Sequence, residues 1–156
     1  MAATPATNTD APVLILGGGL MGLALAHALA HRGRAVEVLS RRRSEAAGFV
    51  AAGMLAPHAE GLSGALLELG QRSLERIPAW VAQIETDSGL SCGLRPCGIV
   101  VPFASVRQRD AYHTATWGEA LDRRGLEHEV PGIGPSWQAG LLFAQDGQIG
   151  RASCRE

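Results

Sequence analysis

Three glycines at a fixed spacing carry the clearest chemistry in this sequence. Gly17, Gly19 and Gly22 form a Gly-x-Gly-x-x-Gly motif. In such a motif the first glycine allows a sharp turn, the second lets a diphosphate approach the backbone, and the third lets a helix pack on a strand. A helix that starts at this turn directs unpaired N–H groups at the phosphates. The motif therefore predicts a site for the diphosphate of a dinucleotide.

The segments around these glycines are the ones that such a site requires. The apolar run Val13–Leu16 predicts a strand buried on both faces. Residues 23–30 are rich in Ala and Leu and predict a helix, with Gly33 as its C-cap. A second strand is expected over Val36–Leu39, which completes a βαβ unit. A glycine-rich turn that binds nothing is the alternative, and this context disfavours it.

The end of the second strand departs from the usual dinucleotide pattern. An acidic residue is expected there to hold the ribose hydroxyls, about 20 residues after the glycines. This chain has Ser40 instead, followed by Arg41, Arg42 and Arg43. A serine binds a hydroxyl without the strength of a carboxylate. The arginines either bind a 2′-phosphate, which would indicate NADP, or form a solvated loop. This position alone leaves the cofactor open.

A run of small residues carries a resemblance to a known family. Residues 51–60 read Ala-Ala-Gly-Met-Leu-Ala-Pro-His-Ala-Glu. Together with the glycine motif, this run resembles FAD-dependent amino-acid oxidases of the D-amino-acid oxidase class, and most of all the glycine oxidases of thiamine biosynthesis. The similarity extends from Val13 to about Gln148. Small residues suit a place where backbone N–H groups reach phosphates and a flat ring needs clearance. A tightly packed loop between elements is the alternative.

The resemblance implies FAD as the cofactor and a set of contacts to it. No catalytic residue and no metal ligand is assigned. Ala47 and Gly48 stand where the family often has hydroxyl side chains, so contacts to the diphosphate are expected to be missing there. The expected cofactor-binding residues are Gly17, Gly19, Leu20, Met21 and Gly22 in the phosphate turn, Ser40 and Arg41 at the ribose end, and Ala52, Gly53 and Met54 beside the isoalloxazine ring.

The resemblance also implies a reaction, oxidative deamination. Hydride passes from the substrate to the flavin, the resulting imine hydrolyses to a keto acid and ammonia, and O₂ becomes H₂O₂. The expected partners are O₂ and glycine, another small amine or a D-amino acid. The arginine that clamps the substrate carboxylate in this family comes from a later part of the chain, so the 156 residues alone are expected to be inactive. An NADP-binding reductase domain and a non-catalytic nucleotide-binding fragment are the alternatives.

Composition excludes several other classes of function. A net charge of −1 produces no overall field that favours nucleic acid or an anionic membrane. Aromatic residues make up 4% of the chain, too few for a platform that stacks single-stranded bases. No apolar stretch is long enough to span a bilayer. Three cysteines do not form a disulfide framework, which favours the cytoplasm. A homo-oligomer is left open for the full-length protein.

The predicted fold class is α/β: a Rossmann-like FAD-binding βαβ unit followed by the beginning of an α+β substrate domain, truncated. Residues 1–12 are expected to be a disordered tail, residues 13–90 the N-terminal part of the FAD-binding domain, and residues 91–148 the start of the substrate domain. Residues 149–156 depart from the family pattern and match the translation of a common sequencing adapter. They are expected to be a non-native tail.

Later elements follow from periodicity. A long helix is predicted over residues 63–86, with a kink or restart at Pro78. Strands are predicted over residues 98–102 and 137–144, and a helix over residues 106–124 that Gly125 ends.

Three further residue pairs are candidates for a metal site or a ligand site. His27 and His31 are one helical turn apart, and a solvated face is favoured over a metal site because no third ligand is near in the sequence. Cys92 and Cys97 are expected to be buried small hydrophobes. His58 and Glu60 lie either near the flavin ring or, as the favoured interpretation, in a solvent-exposed loop.

Overall fold

The structure is a computed structural model that describes residues 11–150. The chain forms two compact units that divide after Ala51. The sequence places a domain boundary after residue 90 instead, and this domain assignment stays a prediction. Residues 1–10 of the expected disordered tail lie outside the described residues.

The first unit is a βαβ unit. Strand β1 (Val13–Leu16) and strand β2 (Val36–Leu39) are parallel, and helix α1 (Leu20–Ala30) connects them. Both strands have the predicted bounds. The predicted C-cap is wrong: α1 ends at Ala30 with His31 as its C-cap, and Gly33 takes a positive φ of 71° in the turn that follows. Two short 3₁₀ helices, Arg43–Glu45 and Ala47–Phe49, complete the unit.

Only one face of this two-stranded sheet is covered. Ile15 is buried, and its side chain lies close to Gly22 of α1. The alternate residues Leu14 and Leu16 are 56% and 75% exposed. The expectation that β1 is buried on both faces is therefore wrong for the described residues. The sequence pattern reports how apolar a strand is, but α1 supplies a helical layer for one face only.

The second unit contains two antiparallel sheets of three strands each. In spatial order, one sheet consists of β3 (Met54–Leu55), β8 (Gly147–Ile149) and β4 (Leu94–Arg95), and the other consists of β5 (Ile99–Phe103), β7 (Ala139–Phe143) and β6 (Glu119–Leu121). Its core lies where Leu141 and Phe143 of β7 pack with Ala56 and Ala59. The elements in chain order are β3 (Met54–Leu55), α2 (Gly64–Ser88), β4 (Leu94–Arg95), β5 (Ile99–Phe103), α3 (Val106–Asp110), the 3₁₀ helix Ala115–Trp117, β6 (Glu119–Leu121), α4 (Arg123–Glu129), β7 (Ala139–Phe143) and β8 (Gly147–Ile149).

The predicted long helix is confirmed as α2, which continues through Pro78 without a restart. Another predicted helix of this unit is wrong. The helix predicted over residues 106–124 is replaced by α3, a 3₁₀ turn, β6 and the start of α4. Strand β6 forms because it pairs with β7, a contact that local periodicity does not encode. Helix α4 runs through Gly125, whose N–H the Asp122 side chain caps at 2.7 Å.

The end of the described chain is part of a sheet. Ile149 belongs to β8, and its N–H donates to the Gly53 carbonyl at 2.8 Å. The Gly150 N–H donates to the Gly93 carbonyl at 2.8 Å. Residues 151–156 of the expected non-native tail lie outside the described residues, so the origin of that tail stays a prediction. None of the helices within residues 11–150 is long and apolar enough to cross a membrane.

Candidate functional site

The glycine turn of the first unit has a tight inner side and an open outer side. Gly17 adopts a φ of 113°, and its N–H donates to the Leu39 carbonyl at 2.9 Å. A Cβ on Gly22 would lie 1.9 Å from the Gly17 carbonyl oxygen, so only glycine lets α1 approach the turn this closely. A Cβ on Gly19 would meet no heavy atom within 4 Å. The turn therefore needs Gly22 for its own packing, whereas the space at Gly19 is open.

Helix α1 begins at this open space without a side-chain cap. Its first helical hydrogen bond runs from the Leu23 N–H to the Gly19 carbonyl at 3.0 Å, so the N–H groups before Leu23 have no acceptor within the helix. The first turn contains no acidic residue that would neutralise the positive end of the helix dipole. Leu20 and Met21, which the sequence assigns to the phosphate turn, are exposed. An anion at this position would meet free backbone donors.

The predicted ribose end lies beside the same turn. A Cβ on Gly18 would come within 2.8 Å of both Cβ and Oγ of Ser40, so these two residues are direct neighbours. Arg41 and Arg42 both pair with Glu45, at 2.9 Å and 3.5 Å. Both arginine side chains are largely exposed. This carboxylate offsets the positive charge that a 2′-phosphate would need.

Residues 52–60 of the small-residue run lie in the second unit, where Met54–Leu55 form the edge strand β3. Met54 pairs with Gln148 of β8. Gly53 has a φ of 83°, and a Cβ there would lie 2.2 Å from the Ile149 carbonyl oxygen. Ala52 is exposed, and Met54 is 51% exposed. The run thus packs its glycine against β8 while the neighbouring side chains stay accessible.

The structure groups the predicted contacts within each unit. The phosphate-turn residues lie at the N-terminus of α1, and Ser40 adjoins them through Gly18. Ala52 and Gly53 directly precede β3, and Met54 is its first residue. The assignment of all these residues to cofactor contacts stays a prediction.

Sequence reasoning missed a buried network around His58. The favoured interpretation of His58 as a solvent-exposed loop residue is wrong, since its side chain is 4% exposed, while Glu60 is exposed as expected. The His58 Nδ1 lies 2.7 Å from Oδ1 of Asp146, which is fully buried. The Ala59 N–H donates to the other Asp146 oxygen at 2.7 Å. In the sequence, Asp146 and Gly147 after a predicted strand indicate only a turn. Nothing in this local pattern signals a contact with His58, which lies 88 residues earlier.

A cleft of about 480 Å³ opens beside this network. Gln71 and His58 both line the cleft, and the Gln71 amide nitrogen lies 3.2 Å from Nε2 of His58. Tyr112 supports the other side of the segment, and burial together with the nearby Glu60 carboxylate raises its pKa. The residues that line the cleft are His58, Gln71, Leu74, Glu75, Trp117 and Gln145.

The two cysteines differ from expectation. Cys92 is only partly buried and Cys97 is exposed, so the prediction that both are buried hydrophobes is wrong. Burial and the Glu85 carboxylate raise the pKa of the Cys92 thiol. The His27 and His31 rings are 4.5 Å apart in an edge-to-face arrangement.

Comparison with known protein families decides the class of this chain. Residues 12–153 match the sequence pattern of the protein family DAO, which is described as FAD dependent oxidoreductase. The chain belongs to this family. Its cofactor is FAD, as the resemblance implies, and the uncapped N-terminus of α1 beside Gly19 fits the diphosphate of that cofactor.

Relatives and solved structures agree with this family. The bifunctional protein ThiO/ThiG of Synechocystis sp. is 37% identical over 145 residues, which cover 91% of this chain and 22% of that protein. Glycine oxidases from Geobacillus kaustophilus and Bacillus cereus superpose with TM-scores of 0.79 and 0.77, both at 24% identity. Each match covers 88% of this chain, and 40% and 39% of the respective oxidase. The predicted α/β fold is confirmed, and the chain spans about a fifth of the length of the curated relative.

Proposed function

We propose that this chain is the N-terminal, FAD-binding part of an enzyme that oxidatively deaminates glycine or another small amine or D-amino acid with O₂. The observation that carries this proposal is the uncapped N-terminus of α1, which faces the open space at Gly19 in a chain of the DAO family. The similarity to glycine oxidases and to ThiO/ThiG supports glycine as substrate and a role in thiamine biosynthesis. The cysteine usage supports a cytoplasmic enzyme.

The residues of this chain would hold and orient the cofactor. When bound, FAD supplies the hydride acceptor and passes electrons to O₂. The N–H groups that precede Leu23 would donate to the diphosphate, where the helix dipole favours negative charge. The hydroxyl of Ser40 would hydrogen-bond a ribose hydroxyl. Ala52 and Met54, both exposed, would border the flavin ring.

The proposal includes the prediction that the 156-residue chain binds FAD without oxidising amines. In the family that the chain resembles, an arginine clamps the substrate carboxylate, and bidentate hydrogen bonds make this clamp strong. The present residues are assigned to the cofactor alone. Cofactor binding and substrate oxidation should therefore separate in this chain.

A reconstitution experiment tests the proposal. The purified chain is incubated with FAD, freed of unbound flavin, and examined by visible absorption and flavin fluorescence. We expect a yellow protein with about one flavin per chain and no H₂O₂ on addition of glycine. Saturable binding of NADPH without flavin retention would favour the reductase alternative. Retention of neither nucleotide would favour the non-catalytic alternative, and H₂O₂ release would contradict the predicted inactivity.

A further inference from the structure

Asp146 joins two distant parts of the second unit with both of its oxygens. It lies in the turn between β7 and β8 and is fully buried. Its Oδ1 is bonded to His58 Nδ1 and its Oδ2 accepts from the Ala59 N–H, each at 2.7 Å. A carboxylate only accepts hydrogen bonds, so Nδ1 of His58 must carry the hydrogen. One acidic side chain thus fixes two consecutive residues that follow β3.

The imidazole ring of His58 accepts a hydrogen bond at one nitrogen and donates one at the other. Because Nδ1 is the donor, Nε2 is free to accept, and the Gln71 amide nitrogen donates to it at 3.2 Å. The imidazole ring also contacts Trp117 and Phe143, with ring centroids 5.3 Å and 6.4 Å away. The chain of donors therefore runs from Gln71 through His58 to Asp146, and it holds the ring in the Nδ1–H tautomer.

The same segment is held from its other side. The Thr114 hydroxyl donates to the His58 carbonyl at 2.5 Å, and the Tyr112 hydroxyl donates to the Ala59 carbonyl at 2.6 Å. Among the described residues, no buried side-chain nitrogen or oxygen lacks a hydrogen-bond partner. The backbone at residues 58–59 is therefore fixed at its carbonyls as well as through Asp146.

This clamp sets the position of strand β3. The strand begins next to Gly53, whose carbonyl accepts from the Ile149 N–H at 2.8 Å. Its other end leads through buried Ala56 and Pro57 to the residues that Asp146 holds. Residues 53–59 are thus tied at both ends to the segment that runs from the β7–β8 turn into β8, at one end by the backbone of β8 and at the other by the Asp146 side chain.

We propose that Asp146 is a positioning residue for the flavin-side run, defined as residues 52–56: by fixing His58 in the Nδ1–H tautomer and holding the Ala59 N–H, it sets where this run meets the isoalloxazine ring. The inference rests on the proposed function, because only that function places the ring beside the run. Asp146 acts through its neighbours and touches neither substrate nor cofactor in this proposal.

The first test reads the tautomer of His58 directly, independently of any cofactor. Long-range ¹⁵N–¹H correlation spectra of the 156-residue chain should show the hydrogen on Nδ1. In Asp146→Asn, the amide oxygen should remain with the Ala59 N–H, so the amide NH₂ faces Nδ1. His58 should then change to the Nε2–H tautomer. The matched control is Asp122→Asn, which removes the same charge at the exposed cap of α4 and should leave His58 unchanged.

Two results would overturn the tautomer assignment. One is a wild-type chain with the His58 hydrogen on Nε2. The other is a folded Asp146→Asn chain in which the tautomer does not change. If that variant fails to fold, the wild-type spectrum still decides, and Gln71→Met provides a second variant, since loss of the Gln71 donor should leave the hydrogen on Nδ1.

The second test reads the flavin. After reconstitution with FAD, Asp146→Asn should shift the visible circular dichroism bands of the bound flavin, whereas Asp122→Asn should not. The Kd for FAD should change less than about tenfold, because the phosphate turn is untouched. A switched tautomer with unchanged flavin bands would overturn the positioning role. A wild-type chain that binds no FAD would instead contradict the proposed function, while the tautomer experiment would still report on the network.

Discussion

Alanine substitutions at Gly19 and Gly22 should separate cofactor binding from folding. Gly19 has a φ of −79° and a ψ of −178°, which any residue adopts, and a Cβ there would meet nothing within 4 Å. Gly19→Ala should leave the fold intact or stabilise it by about 0.4–1 kcal/mol through the unfolded state. Gly22→Ala would place a Cβ 1.9 Å from the Gly17 carbonyl oxygen, and backbone shifts should cost about 1–3 kcal/mol or more.

For FAD affinity the order of the two variants should be reversed, so that Gly19→Ala, which keeps the fold, weakens binding more than Gly22→Ala does. A methyl group at the approach to the helix N-terminus would displace the diphosphate from one or two backbone donors. Hydrogen bonds to charged groups contribute about 1.5–3 kcal/mol each, so loss of one should weaken binding by roughly 10- to 150-fold. Gly22→Ala should weaken FAD binding only as far as it lowers the fraction of molecules in which the first unit is folded.

Flavin fluorescence titration gives the Kd, and hydrogen exchange of the β1 amides gives the stability of the first unit. The matched control is Gly134→Ala in the second unit, where a Cβ also meets nothing within 4 Å. The control should match wild type in Kd. If Gly19→Ala bound FAD as tightly as Gly134→Ala does, the diphosphate would not approach the backbone at Gly19, and the placement of the cofactor would be wrong.

Three further predictions concern the second unit. Leu126→Ala should lower the free energy of unfolding by about 2–5 kcal/mol, since this side chain is fully buried. Urea titration measures this change, and the control Leu90→Ala, at an exposed leucine, should show almost none. Gly53→Ala should disrupt the pairing of β3 with β8, because a Cβ would lie 2.2 Å from the Ile149 carbonyl oxygen and because Gly53 has a positive φ of 83°. The amide chemical shifts of β8 measure this effect, and unchanged shifts would contradict the prediction. Iodoacetamide should alkylate exposed Cys97 faster than Cys92 near pH 8, and the Cys92 rate should keep rising at higher pH because the pKa of its thiol is raised. Peptide mapping measures both rates, and equal rates at all pH values would contradict the raised pKa of the partly buried Cys92 thiol.

Local chemistry was sufficient to predict the first unit. The bounds of β1 and β2 follow from short β-branched runs, and the turn conformation of Gly17 follows from the need to leave a strand and enter a helix within a few residues. The C-cap was misplaced by two positions because Gly33 has a positive φ in the turn after the helix rather than at its end. The open face of the sheet was missed because burial depends on what packs against a strand.

In the second unit, local chemistry predicted α2, β5 and β7 but not the elements that form only through pairing with another strand. The segment after Asp110 has helical periodicity, yet β6 forms because β7 offers it a partner. Strands β4 and β8, only two and three residues long, carry no pattern that could be detected. The same reason hides the site around His58, since its partner follows 88 residues later.

By itself, the sequence determined the βαβ unit and the glycine turn, because each depends on residues that are near one another in the chain, whereas the cofactor class followed from the resemblance to a family. Tertiary structure alone decided that His58 is buried against Asp146, that Gly53 lies under the β8 backbone, and that the space at Gly19 stays open. The physical reason is that backbone conformation is set largely by neighbours in sequence, whereas burial and hydrogen-bond pairing are set by neighbours in space.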